Sequence, residues 1–126
     1  MPVNYVLVER HNPLKPGEPK KIYALAKSAG EVNLKQLSKD IAARCTVNSS
    51  DTLAVLDALI QQLTKELEEG RIVRFGDFGS FQLSISSEGV AGKEVFNSSL
   101  IKKSRINFRP GKDLRDMLAV VTYAKA

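Results

Sequence analysis

The residues best suited to chemistry lie in one segment, Lys102-Lys103-Ser104-Arg105-Ile106-Asn107-Phe108-Arg109. Successive side chains of an extended strand point to opposite faces, so Lys103, Arg105, Asn107 and Arg109 share one face and Ile106 and Phe108 the other. Three cations and an amide in a row suit a polyanion, because alternate strand positions can neutralise several regularly spaced phosphates at once. The plainer reading is a solvated face kept charged for solubility. Lys102 falls on the opposite strand face. Arg74 stands apart, able to join the cations or to pair with Asp77.

Other chemistries find little support. General acid–base or nucleophilic work needs a paired acid, base and nucleophile, and the polar residues are scattered over solvent-facing positions. No catalytic residue, cofactor or small-molecule substrate is expected, and the chain does not read as an enzyme. The single histidine, His11, sits in a proline-rich loop and cannot form a metal site with one distant cysteine. Cys45 reads as a small buried hydrophobe on a helix face, ahead of a redox or metal role. Phe75, Phe78 and Phe81 read as buried packing ahead of base stacking. Gly76 and Gly79 read as relief for a tight bend.

These residues need a scaffold. Tyr5–Arg10 and Lys20–Ala26 read as two strands, a hairpin whose connection holds Pro13, Pro16, Gly17 and Pro19. Leu34, Leu37, Ile41 and Cys45 recur at helical spacing after an Asn33 cap. A second helix spans about Ser49 to Glu69, capped by Asn48 with Asp51 in its first turn and stopped by Gly70. Its residues Leu53, Leu56, Ile60, Leu63 and Leu67, widened by Val55 and Leu59, fill an arc of roughly 160°. One short helix and a small sheet cannot cover so wide a face, and a second copy of the chain is the economical cover. From residue 71 the period becomes two, with Phe81, Leu83 and Ile85 on a half-buried strand. A polar, glycine-bearing stretch, Ser86–Lys93, leads back to the cationic strand. After Pro110-Gly111, Leu114, Met117, Leu118 and Val121 form a short closing helix.

Composition narrows the class. At 126 residues and 43% hydrophobic content the chain can hold one modest core. No apolar run reaches a membrane span, no secretory signal opens the chain, and a lone cysteine suits the cytoplasm. Residues 1–70 carry nine Lys/Arg and nine Asp/Glu, and residues 71–126 carry ten and five, so the whole net charge of +5 lies in the second part. From Lys102 to Arg115 six basic residues meet one acid, Asp113. A basic field so localised points to nucleic acid or an anionic surface. The charged strand face has no spaced aromatics, which disfavours RNA or single strands.

Two motifs add a family resemblance. Gly79-Ser80-Phe81, within Arg74-Phe75-Gly76-Asp77-Phe78-Gly79-Ser80-Phe81, is similar to the GFG-[ST]-F strand start of the HU/IHF family of bacterial histone-like DNA-binding proteins. Phe108-Arg109-Pro110-Gly111-Lys112-Asp113-Leu114 resembles that family's F-[KR]-P-G-K-x-L. The resemblance covers residues 33–121. The N-terminal extension and Ser86–Gly89 look more like the longer HU-like proteins of Bacteroidetes.

The resemblance implies an α+β fold, with a helical base, a β-saddle and a projecting β-arm, assembled as an intertwined homodimer. Residues 1–32 would be an extension and 33–126 the DNA-binding domain. It implies a nucleoid-associated protein of the cytoplasm that binds double-stranded DNA with low sequence specificity and bends or compacts it. Arg74, Lys93, Lys103, Arg105, Asn107, Arg109 and Lys112 would contact DNA, Lys112 near a helix N-terminus where phosphate is favoured. The family's arm tip carries an R-N-P-x-T-G proline wedge, and this chain has no proline between Phe81 and Pro110. Val90 and Phe96 are the candidate wedges in its place, with Glu88 and Glu94 opposing phosphate contact. The alternative is a protein-interaction or assembly module that kept the dimer fold and lost strong bending.

Overall fold

Helix ends form where side chains and backbone can satisfy free N–H and C=O groups. A computed structural model describes all 126 residues. Its helices are α1 (Leu34–Ala42), α2 (Ser49–Glu68) and α3 (Lys112–Val120), and its strands are β1 (Val3–Arg10), β2 (Lys21–Ala26), β3 (Val73–Phe75), β4 (Gly79–Ser87), β5 (Ile101–Pro110) and β6 (Tyr123–Lys125). Asn48 caps α2 as expected, its Oδ1 accepting from the Asp51 N–H at 2.8 Å. At the other end Gly70 takes φ +83°, its N–H donates to the Leu67 carbonyl, and the Arg71 N–H donates to Glu66. That paired closure is the Schellman arrangement. Hydrogen bonds from Arg71 and then Gln62 hold the Glu66 carboxyl below its ordinary 4.5.

The chain divides into two units, residues 34–116, and residues 1–33 together with 117–126. In the latter, β1 and β2 form the expected antiparallel hairpin, from Tyr5 opposite Ala26 to Arg10 opposite Lys21. A third strand was not anticipated. β6 lies parallel to β1, with Val3 opposite Tyr123, giving the order β2-β1-β6. A parallel partner from the far end of a sequence leaves no local turn signal.

In the larger unit α1 packs on α2, and β3, β4 and β5 form a sheet in that order. β3 covers β4 only from Gly79 to Phe81, so β4 and β5 continue as a two-stranded ribbon to Ser87 and Ile101. Beyond them residues 88–100 form a tip with two short 3₁₀ turns, Lys93–Val95 and Ser98–Leu100.

No apolar side chain is buried, and the buried residues are Ser38, Thr52 and Gly79. Two expectations change accordingly. Cys45 is exposed, because α1 ends at Ala42 and the following turn lifts the residue off the helix face. Phe75 and Phe78 are exposed and Phe81 half-buried. They pack on one another rather than in a core, with ring centroids 6.0 Å apart for Phe75–Phe78, and Phe108 lies 5.7 Å from Phe78 and 4.9 Å from Phe81.

Candidate nucleic-acid interface

The cationic row is set by the β4–β5 register. Ser80 lies opposite Arg109, Gln82 opposite Asn107, Ser84 opposite Arg105 and Ser86 opposite Lys103. Directly opposed residues share a face, so small polar side chains of β4 line the cations of β5. Arg74 of β3 is opposite Ser80, which extends this face across the third strand. The Asn107 Nδ2 donates to the Ser84 Oγ at 2.9 Å, fixing the amide inside the row. The other face carries Phe81 opposite Phe108 and Leu83 opposite Ile106.

The ion pairs separate these cations from their neighbours. Arg74, Lys103, Arg105 and Arg109 pair with no carboxylate, whereas Lys102 reaches Glu88 at 3.9 Å and Lys112 reaches Asp116 at 3.2 Å. Lys102 sits at a bulge in the ribbon, between the pairs Ser86–Lys103 and Ser87–Ile101, and its ion pair sets it apart from the row. Arg74 joins the row and makes no pair with Asp77.

Two shallow depressions mark the base of this face. One, of about 360 Å³, is lined by Arg74, Ser80, Gln82, Asn107 and Arg109. The next, of about 400 Å³, is lined by Arg74, Gly76, Gly79, Ser80, Arg109 and Arg115. Arg115 was missed as a site residue by reading the sequence, although it lies four positions after Gly111, one helical turn into α3. Lys112 lines neither depression.

The start of α3 is also occupied. The Gly111 N–H donates to the Phe78 carbonyl at 2.8 Å and the Asp113 N–H to the Asp77 carbonyl at 3.0 Å. The β3–β4 turn therefore takes one of the helix N-terminal amides that a phosphate would use. The two sequence motifs meet here, since Gly79 is the register partner of Pro110 and Phe81 that of Phe108.

The tip is separate from the row. Lys93, Val90 and Phe96 come together there, lining a depression of about 560 Å³ with Ser87, Gly89 and Gly92. Val90 and Phe96 remain 41% and 42% exposed, accessible enough to meet a partner.

The whole chain resembles known proteins of one kind. A family described as an HU domain fused to wHTH, Ig, or glycine-rich motif, HU-HIG, matches residues 1–125. Over 88 residues the chain is 28% identical to DNA-binding protein HU of Xylella fastidiosa, covering 68% of this chain and 93% of the relative. A solved chain from Bacteroides vulgatus, provisionally assigned as a bacterial DNA-binding protein, superposes with a TM-score of 0.66 at 12% identity. That match covers 98% of this chain and 47% of the other, so the chain spans about half the length of that protein. HU of Anabaena, solved in a cocrystal with DNA, superposes with a TM-score of 0.56 at 20% identity, covering 71% of this chain and 99% of that one. Helical base, sheet and two-stranded ribbon together are the HU/IHF-like α+β fold. With the match extending over nearly every residue, the chain belongs to the HU-HIG family of HU-domain proteins, which are not enzymes.

Proposed function

We propose that the chain binds double-stranded DNA as a homodimer, with low sequence specificity, and bends or compacts it as a nucleoid-associated protein of the cytoplasm. The observation that carries this is the row of Arg74, Arg109, Arg105 and Lys103 on one sheet face, none held by a carboxylate. Cations without internal partners are available to displace counterions from phosphates. Ser80, Gln82, Ser84 and Asn107 between them supply hydrogen bonds to phosphate and sugar oxygens, which position a duplex without reading it. Arginine on such a face also suits a narrow minor groove. Arg115 adds a cation at the base of the same face, and Lys112 contributes if DNA displaces Asp116. Lys93 and the apolar Val90 and Phe96 serve the tip as phosphate contact and wedges.

Residues 33–126 would form the DNA-binding domain, and residues 1–32 an extension of the longer Bacteroidetes type. An added segment is supported by the Anabaena HU match, which covers 99% of that protein but 71% of this chain; in the structure residues 117–126 group with the extension. The location is supported by the family; no helix is long and apolar enough to cross a membrane.

Affinity for a random-sequence duplex across a salt series tests the proposal, with a Lys103→Ala/Arg105→Ala/Arg109→Ala variant beside the parent. Binding is expected to weaken steeply with salt, and the variant slope to be shallower by about 0.9 for each phosphate it no longer neutralises. No binding at low salt ends the DNA reading. One observation favours a second reading as an assembly module. Both faces of the N-terminal sheet carry exposed apolar side chains, Leu7 and Ile22 on one, Val6, Tyr23 and Leu25 on the other.

A further inference from the structure

The end of the N-terminal hairpin holds a second group of cations. Arg10, the last residue of β1, and Lys21, the first of β2, are register partners, and Lys20 directly precedes Lys21. Directly opposed side chains lie on one face of a sheet, where like charges repel. All three residues are exposed, and none belongs to an ion pair.

The nearby acids are accounted for. Glu9 alternates onto the opposite face, where its partner is Ile22. Glu18, in the connecting loop, is held by Lys15 at 3.6 Å. Further along the face that bears Arg10 and Lys21, the next pair is Val8 and Tyr23, and after it Val6 and Leu25. Positive charge at this end of the sheet is therefore uncompensated.

Folding of the hairpin does not call for such a pair. The loop forms its own turns, with the Leu14 N–H donating to the Asn12 Oδ1, the Lys15 N–H to the Asn12 carbonyl and the Glu18 N–H to the Lys15 carbonyl. Opposed cations that weaken the free hairpin gain from a polyanion that bridges them, because neutralisation removes the repulsion while releasing counterions.

We propose that Arg10, Lys20 and Lys21 form a second phosphate-contacting surface for duplex DNA, carried by the N-terminal unit and separate from the strand-face row. This rests on the DNA-binding reading above, and it assigns the extension a direct part in holding the duplex.

The test uses the full chain and a random-sequence duplex over a salt series. R10Q/K20Q/K21Q is compared with the parent, with the Lys103/Arg105/Arg109 variant, and with a charge-matched control, K39Q/K65Q/K125Q. The hairpin variant is expected to lower the slope of log affinity against log salt by about 2 to 3 for each hairpin that contacts the duplex, at about 0.9 per phosphate, and the control to leave it near the parent value. Without DNA, the hairpin variant melts at the parent temperature or above it, since repulsion is relieved. A hairpin slope equal to that of the parent or the control overturns this inference. If the Lys103/Arg105/Arg109 variant still lowers the slope in that case, the strand-face reading survives. A parent that binds no duplex at low salt overturns the DNA reading itself.

Discussion

Gly79 and Gly111 are the points where backbone approaches backbone beneath the cationic face. Gly79 has φ +156°, and a Cβ there would stand 2.6 Å from the Arg109 carbonyl oxygen and 2.7 Å from the Phe108 ring. A Cβ on Gly111 would fall on the Asp77 carbonyl. Neither neighbour is the free end of a flexible chain, so a side chain at Gly79 must push β5 away from β4. Gly79→Ala is expected to destabilise the fold by about 2 to 4 kcal/mol in denaturant unfolding, from combined backbone strain and overpacking. Gly89→Ala, with open space around it and no positive φ, should stay within about 0.5 kcal/mol. At this scale alternation alone was enough to place Lys103, Arg105, Asn107 and Arg109 on one face. Arg115 was not legible, because it meets Arg74 and Arg109 through the β3–β4 turn packed against α3, an arrangement with no periodic signature.

Among elements, the arm is where this chain departs from the family motif. Its ribbon ends at Ser87 opposite Ile101, and the tip beyond it is built from two 3₁₀ turns in place of a proline-bearing loop. Phe96 and Val90 present the apolar surface there. If they wedge between base steps, Phe96→Ala with Val90→Ala should reduce the DNA bend, read by energy transfer between end-labelled duplex termini. Affinity at fixed salt should change far less, since the cationic row is untouched. An unaltered bend would remove the wedge role. Long elements were readable: apolar spacing marked α1, α2, α3 and the β4–β5 pair, and two β-prone runs around a loop of prolines and glycine marked the β1–β2 hairpin, whose apolar residues run consecutively without a period. β3 is three residues long and β6 also three, too short for any period to register. The overreach of the first helix to Cys45 has the same origin, since apolar spacing continues past the point where the backbone turns.

At the scale of the whole molecule, surface area supports a dimer. The two units hold 43 and 83 of the 126 residues. Compact globules of those sizes would together expose roughly 8,000 Å², while the chain exposes 10689 Å². Within the larger unit Val55 and Ile60 of α2, Leu37 and Ile41 of α1, and Leu83 and Ile106 of the ribbon are all exposed. The chain is therefore expected to sediment as a dimer and to melt at a temperature that rises with protein concentration. Ile60→Glu should lower that temperature and promote dissociation. A concentration-independent melt of a monomer would contradict the dimer. The parallel pairing of β1 with β6 has a consequence for the order of assembly. Val3 and Tyr123, 120 positions apart, must meet to complete the small sheet, whereas the helical pair and the ribbon close within residues 34–116. On a ribosome the larger unit can finish folding while the N-terminal hairpin still waits for its third strand. Synthesis thus leaves one edge of β1 unpaired until Tyr123–Lys125 have emerged, the interval in which this sheet is most open to pairing with a wrong strand.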